Sequence, residues 1–357
     1  MDAPSKLIVI SIKEVIIMDN VEVVGIDLAK SVFQVHCVDS QGHSVLKQAM
    51  RKPALLRFFS NLQPCLIGME ACSSSHHWGR VLQEMGHTVK LMPPQYVKPY
   101  VKTNKNDQAD AEAICEAVTR PNMRFVDVKN HDQQSILLLH RDRDGLMRDR
   151  TALINRLRAT LAEFGITVPK GPARLKRWFS GQYSEYEDEL TELMKRHTMR
   201  MLARLNMLER EIAELDAELN RHVTQTEACK RLMDVPGIGR LTASALVATV
   251  GNARAFKSGR QLSAWLGLVP RQYSSGGKSV LLGISKRGDS YLRRMLIHGA
   301  RAVVRHLNPK REYISGWLER LLLRTHHNVV IVALANKLAR IAWALLSKNQ
   351  RYLEPAV

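Results

Sequence analysis

Cysteine is scarce in this 357-residue chain and never closely paired: Cys37, Cys65, Cys72, Cys115 and Cys229 include no CxxC spacing. An odd, scattered set fits reduced thiols in the cytoplasm better than a disulfide framework or a zinc site. Long apolar runs are missing as well, and none approaches the roughly 18–20 residues that a membrane span needs. The early stretch 7–12 is cut by Lys13 and Glu14 and lacks a small-residue cleavage pattern, so neither a signal peptide nor a membrane partner is expected. Nor is there a low-complexity tract or a repeat of fixed period. Acidic residues are the last shortage, and it is local: residues 231–357 hold 21 Lys and Arg against 5 Asp and Glu. That segment carries +16 of the chain's net +19, whereas residues 1–130 and 131–230 are nearly balanced at +2 and +1. With 45% hydrophobic and 24% charged residues the chain is a folded protein, not a disordered polycation. A one-sided final third in such a chain marks a surface for a polyanion, nucleic acid above all.

The length accommodates two or three domains. Residues 1–19 read as an extension, because Met18-Asp19-Asn20 is a natural start before a clean first strand. Residues 20–130 read as α/β. Three β-branched runs, 21–27, 31–39 and 43–48, are separated by turn-length gaps and suggest consecutive antiparallel strands. A helix over 53–62, a buried-type strand over 65–70, a helix over 75–85 and a strand over 87–92 follow, which makes the sheet mixed. After Pro93-Pro94 and a loop with Lys98, Lys102 and Lys105, a helix over 107–118 opens with acids in its first turn.

Residues 131–230 read as helical. A long helix over 133–164 leads to a linker marked by Pro169, Gly171 and Pro172. Apolar residues then recur at Leu190, Met194, Met201, Leu205, Leu208, Ile212, Leu215 and Leu219, with the 3-4-3-4 spacing of a coiled-coil seam from Leu205 onward. That seam suits either a helical hairpin within one chain or an intermolecular coiled coil. Residues 231–350 read as all-α.

Four acids carry the first chemistry. Asp27 ends the first strand, Glu70 ends the fourth, and Asp107 and Asp110 share one helical face at i and i+3. Neighbouring strand ends lie close together, and hard cations such as Mg²⁺ take carboxylate oxygens. Any single acid here also serves as a turn or cap residue. Glu70, however, follows the apolar Leu66-Ile67-Gly68-Met69, where a carboxylate is costly unless paired or metal-bound.

The second signal is Val235-Pro236-Gly237-Ile238-Gly239-Arg240, which resembles a helix-hairpin-helix turn offering backbone N–H groups to a phosphate; a plain tight turn between helices is the alternative. The third is Arg271…Ser274-Ser275-Gly276-Gly277-Lys278…Lys286-Arg287-Gly288…Arg293. A phosphate-binding P-loop is rejected, because Gln272 stands where that motif needs glycine and no preceding strand is expected. A small hydroxyl on a Gly-flexible loop amid Arg271, Lys278, Lys286 and Arg287 can instead approach a backbone phosphate, either as a contact or as a nucleophile.

The strand order with acids at these points resembles the RNase H-like fold, in particular its RuvC-like branch. Ile26-Asp27…Lys30…Phe33…His36, Gly68-Met69-Glu70…Cys72-Ser73…His76-His77-Trp78, Asn104-Lys105-Asn106-Asp107…Asp110, Pro236-Gly237-Ile238-Gly239 and Ser275-Gly276-Gly277…Lys286-Arg287-Gly288…Arg293 together resemble the DEDD-type insertion-sequence transposases of the IS110 family, IS1111 branch. The resemblance implies a RuvC-like domain over 20–130, a helical, coiled-coil and dimerisation region over 131–230, and a transposase domain over 231–350. It implies DNA strand cleavage and exchange with Mg²⁺ held by Asp27, Glu70, Asp107 and Asp110, and Ser275 as nucleophile, with adjacent Ser274 the alternative. Gly237, Gly239, Arg240, Arg271, Gly276, Gly277, Lys278, Lys286, Arg287 and Arg293 are then the expected nucleic-acid contacts. The implied partners are donor and target DNA, a bridge RNA that guides the reaction, and further copies of the chain, from dimer to tetramer. Two rivals remain: a junction nuclease that hydrolyses DNA with the acids alone, and a non-catalytic helix-hairpin-helix protein.

Overall fold

The computed structural model describes residues 20–102, 106–306 and 312–353. The expected extension over residues 1–19 lies outside the described residues, as do Asn104 and Lys105. The chain forms two compact units, Met1–His131 and Asp132–Val357.

In the first unit, β1 (Val23–Leu28), β2 (Val32–Val38) and β3 (Ser44–Arg51) make an antiparallel meander. On the other side of β1, β4 (Leu66–Glu70) pairs parallel to it and β5 (Thr88–Met92) parallel to β4, giving the order β3-β2-β1-β4-β5. Parallel neighbours need crossovers, which α1 (Lys52–Asn61) and α2 (Ser75–Glu84) provide. Strand alternation turns Val24, Ile26, Val35, Ile67 and Met69 toward Leu55 and Phe59 of α1 and Trp78 and Leu82 of α2. Val23 packs on the opposite face with Ile114 and Val118 of α3 (Asp107–Val118). Phe33 and Trp78, both in the family-like motifs, meet edge to face at 4.8 Å, so they belong to this core.

Two glycines decide how near α3 comes to the sheet. Gly25 and Gly68 face each other across β1 and β4. A Cβ on Gly25 would lie 2.2 Å from the Ala111 carbonyl oxygen and 2.5 Å from the Cys115 nitrogen, and one on Gly68 would lie 2.8 Å from Val118 Cβ. Without those side chains, α3 rests on the bare backbone of the two central strands.

In the second unit, α4 (His131–Ala162), α5 (Pro172–Gly181) and α6 (Glu192–Gln225) share a core of Leu153, Leu157, Leu161, Leu175, Trp178, Leu205 and Leu208. The Pro/Gly stretch expected as a linker is therefore partly an element. Pro172 sits in the first turn of α5, where its missing N–H has no helical partner to lose, and Val168 and Leu175 anchor the stretch. Along α6 the seam residues Met201, Leu205, Leu208, Ile212 and Leu219 are buried within the chain.

A second core joins α7 (Glu227–Met233), α8 (Arg240–Val250), α9 (Gly259–Trp265), α10 (Ser290–Arg305), α11 (Glu312–Leu322) and α12 (His327–Lys348) around Leu232, Leu246, Leu262, Leu296, Leu334 and Leu338. Helix α12 is long and apolar enough by length and composition to cross a membrane, but Val330, Leu334, Leu338, Ala342 and Leu345 belong to this core. Buried His140 links α4 to the bundle, with Nδ1 3.0 Å from the Tyr291 hydroxyl and Nε2 2.9 Å from the Ser244 hydroxyl. Burial, reinforced by the nearby Arg143, pushes its pKa down to about 4.

The expectation of an all-α final segment is corrected by a two-stranded antiparallel hairpin, β6 (Pro270–Ser275) and β7 (Lys278–Ile284). Gly276 (φ 54°) and Gly277 (φ 77°) supply positive φ at both turn positions, the two-residue turn whose twist matches paired strands. A strand does precede the glycine pair, contrary to the expectation from sequence. A second strand follows it, where a P-loop needs a helix.

Candidate functional site

In the first unit the site is built by β1, β4 and α3. Asp27 and Glu70 each stand one residue beyond the Ile26–Met69 pair, at the ends of adjacent parallel strands. Alternation places Asp27 on the face of Gly25 and Glu70 on the face of Gly68, the face that α3 covers. Because α3 meets Gly25 through Ala111 and Cys115, its first turn falls beside the strand ends. Asn106 caps that turn by accepting a hydrogen bond from the Ala109 nitrogen at 2.7 Å. Carboxylates at Asp107 and Asp110 also suit the positive end of the helix.

The outcome is a cluster in which Asp27, Asp107 and Asp110 each offer an oxygen, all within 4.8 Å of one another. Asp27 and Asp110 are half-buried and Asp107 is exposed. Like charges at this range repel, and a shared cation relieves that repulsion, so the donor set fits a hard divalent ion. Glu70 is half-buried on the adjoining strand but is not one of this close group. The other acids of α3 have different work. Glu112 accepts from Lys47 at 2.8 Å and is held below the usual carboxylate range by it; Glu116 bonds Lys102 at 2.9 Å and Arg120 at 2.6 Å. Asp107 and Asp110 have no cationic partner among the described residues. Sequence reasoning did not single out Gln34, which pairs across β2 with Asp27 and whose buried Oε1 lacks a hydrogen-bond partner among the described residues.

In the second unit, Ser275 closes β6 immediately before the turn, exposed and paired across the hairpin with Lys278. The two adjacent serines differ. Ser274 Oγ accepts from Gln272 Nε2 at 2.9 Å and reaches Ser279 Oγ at 3.5 Å, while the Ser275 hydroxyl has no partner among the described residues. All four expected cations are exposed, but only Lys278 stands beside Ser275. Arg271 lies four residues back along β6, and Lys286 and Arg287 lie beyond the base of the hairpin, so the expectation of a hydroxyl amid all four is corrected. Gly276 and Gly277 have open space where a Cβ would stand.

The remaining expected contacts divide. Gly239 and Arg240 are exposed at the start of α8. Gly237 (φ 92°) is pressed against α10: a Cβ on Gly299 would lie 1.8 Å from its carbonyl oxygen. Its glycine identity therefore already has a packing reason. Arg293 donates to the carbonyls of Leu266 at 3.0 Å and Arg287 at 3.1 Å, so it braces the loop beneath the hairpin. Gly288 has the same structural character, since a Cβ there would meet the Trp265 carbonyl oxygen at 1.9 Å.

Residues 24–166 match the DEDD transposase family of IS110, and residues 229–315 match a family described as transposase IS116/IS110/IS902. A protein of Pseudomonas aeruginosa called a probable family 20 transposase is 49% identical over 93% of this chain and 99% of its own length. The transposase for insertion sequence element IS1328 of Yersinia enterocolitica is 44% identical over 93% of this chain and 98% of its own. The corresponding protein of IS1111A from Coxiella burnetii is 42% identical over 94% of this chain and 92% of its own. The DEDD domain is RuvC-like α/β, acts on DNA and implies a divalent metal, in keeping with the sheet and the acidic cluster of the first unit. The chain accordingly belongs to the IS116/IS110/IS902 family of insertion-sequence transposases, in its IS1111 branch.

Proposed function

We propose that this transposase exchanges DNA strands by attack of Ser275 on a backbone phosphate, with Mg²⁺ held by Asp27, Asp107 and Asp110 and supported by Glu70. The carrying observation is the contrast between the serines: Ser274 is hydrogen-bonded, and Ser275, beside Lys278, presents a hydroxyl with no partner among the described residues. Ser275 gives its proton to solvent as its Oγ bonds to phosphorus, and the bond from phosphorus to one sugar oxygen breaks. That oxygen takes up a proton from solvent and leaves as a hydroxyl. A hydroxyl of the other DNA, losing its own proton, then displaces the serine to join the new strand, which returns the proton to Ser275. Lys278, across the hairpin from Ser275, balances the charge that grows on the phosphate oxygens, and Arg271 further down β6 holds the neighbouring backbone. When bound, the cation withdraws charge from the phosphate and steadies the departing oxygen.

The turn between α7 and α8 acts as a helix-hairpin-helix phosphate contact through Gly239 and Arg240, which are open to solvent. Lys286 and Arg287 add backbone contacts. Such contacts position DNA without reading it, which suits specificity delegated to base pairing with a bridge RNA. Residues 20–130 serve as the RuvC-like catalytic domain, 131–230 as the helical region and 231–350 as the transposase domain, in the cytoplasm. Association into dimers and tetramers uses α6, where Leu193, Met199 and Met207 are exposed outside the buried seam.

A suicide DNA substrate with Mg²⁺ tests the reading. A covalent protein–DNA adduct is expected, lost in Ser275→Ala and kept in Ser274→Ala. Free cleaved ends that survive Ser275→Ala mean hydrolysis by the acids alone, and neither product means a binding protein.

A further inference from the structure

The β6–β7 hairpin is a sheet of its own, with no third strand among the described residues, and every residue of 270–283 is exposed. A lone two-stranded ribbon is at best marginally stable in water. This one also carries large apolar groups outward: Tyr273 is 74% exposed and Leu281 66%, with Val280 and Leu282 beside them. Such a surface is built to be covered.

The register tells which side meets what. Tyr273 pairs with Val280 and Ser275 with Lys278, so these four share one face; Gln272, Ser274, Ser279 and Leu281 share the other. Tyr273 has no ring or hydrogen-bond partner among the described residues. It stands two residues from Ser275 on the same face, about 7 Å away, or about two stacked base steps of 3.4 Å. The charge around the ribbon selects the occupant. From Val235 to Gly288 the sequence contains no acidic residue, while Arg271, Lys278, Lys286 and Arg287 are exposed.

We propose that Tyr273 stacks on an unpaired DNA base flanking the phosphate that Ser275 attacks, with Val280 backing the ring. This rests on the reading of Ser275 as nucleophile and adds the reason why the hydroxyl meets one phosphate and not its neighbours. An aromatic face accepts any base, so the contact sets register along the strand without choosing sequence. It also requires the strand to be locally unpaired at the point of exchange, because a base stacked in a duplex offers no free face.

The test uses the full chain carrying Ser275→Ala, which binds without reacting, and a gapped DNA duplex with 5-iodouracil in its single-stranded gap. Irradiation followed by peptide mapping is expected to place the cross-link on Tyr273. Tyr273→Ala weakens binding to gapped DNA about tenfold, Tyr273→Phe does not, and neither changes binding to intact duplex. The readout does not depend on cleavage, so it fails or succeeds independently of the adduct assay for Ser275. Equal affinity of Tyr273→Ala and the parent for gapped DNA overturns the proposal. So does a loss confined to self-association in sedimentation, which assigns the ribbon to a second copy, or a loss confined to binding phosphatidylglycerol vesicles.

Discussion

Gly25→Ala is the sharpest probe of how the first unit builds its acidic cluster. The new methyl group would stand 2.2 Å from the Ala111 carbonyl oxygen, 2.5 Å from the Cys115 nitrogen and 2.8 Å from Cys115 Cβ. Two of these are backbone atoms, so no side-chain rotation relieves the contact. Restoring an ordinary separation of about 3.5 Å moves α3 and β1 apart by roughly 1 Å. Overpacking of this kind costs about 1–3 kcal/mol. The functional loss is larger, because Asp107 and Asp110 ride on α3 while Asp27 stays with β1. A displacement of about 1 Å is enough to slow a reaction roughly 100-fold. Denaturant midpoints and single-turnover cleavage of a suicide DNA substrate read the two effects separately. Gly145→Ala in α4 is the control: nothing lies within 4 Å of its Cβ, so it is expected to stabilise by about 0.5–1 kcal/mol. For Gly68→Ala the three nearest atoms are all side-chain atoms of α3, at 2.8–3.2 Å, so it is expected to do less harm than Gly25→Ala. Unchanged midpoint and full cleavage in Gly25→Ala would refute the close-approach argument.

Three further outcomes are expected. Asp110→Asn removes one of three carboxylates within 4.8 Å of one another, so divalent-ion affinity measured by calorimetry and DNA cleavage both fall sharply while DNA binding is kept; a binding defect would indicate a folding role. His140 titrates near 4 when folded against about 6.5 when unfolded, so the unfolded chain binds more protons between those values. Stability therefore falls by roughly 3 kcal/mol as pH drops from 6.5 to 4. Denaturation profiles of His140→Gln should be flatter over that range, and a slope equal to the parent's would show that His140 is not the group responsible. Replacing both Arg271 and Lys278 with Gln is expected to reduce the slope of log affinity against log salt by about 0.9 for each duplex phosphate no longer neutralised, and an unchanged slope would place the phosphate-binding cations elsewhere.

Much of the first unit was legible because its signals are local. β-branched runs between turn-length gaps mark β1 and β2, and an acid-rich first turn marks α3 from Asp107 to Val118. The second unit hid two features. The Pro172 stretch looked like a linker because proline at a helix start and proline in a loop have the same local chemistry; Leu175 and Trp178 reaching a core decides between them. The hairpin was missed although Gly276-Gly277 between two strand-like runs was in plain view. An exposed ribbon buries no face, so it lacks the half-buried alternation by which strands are recognised.

Motif order alone pointed to the family and offered four acids as candidates, and composition alone confined the positive charge to residues 231–357, since those depend only on which residues are present and in what order. Tertiary structure decided which groups meet. It drew Asp27, Asp107 and Asp110 together through the glycine pair under α3, because a close approach depends on what is absent from both surfaces at once. It buried Met201, Leu205 and Leu208 of the α6 seam in the chain's own core and gave Arg293 to two carbonyls beneath the hairpin. It also separated Ser275 from Ser274, because alternation in a paired strand sends adjacent side chains to opposite faces and only one of them found a partner.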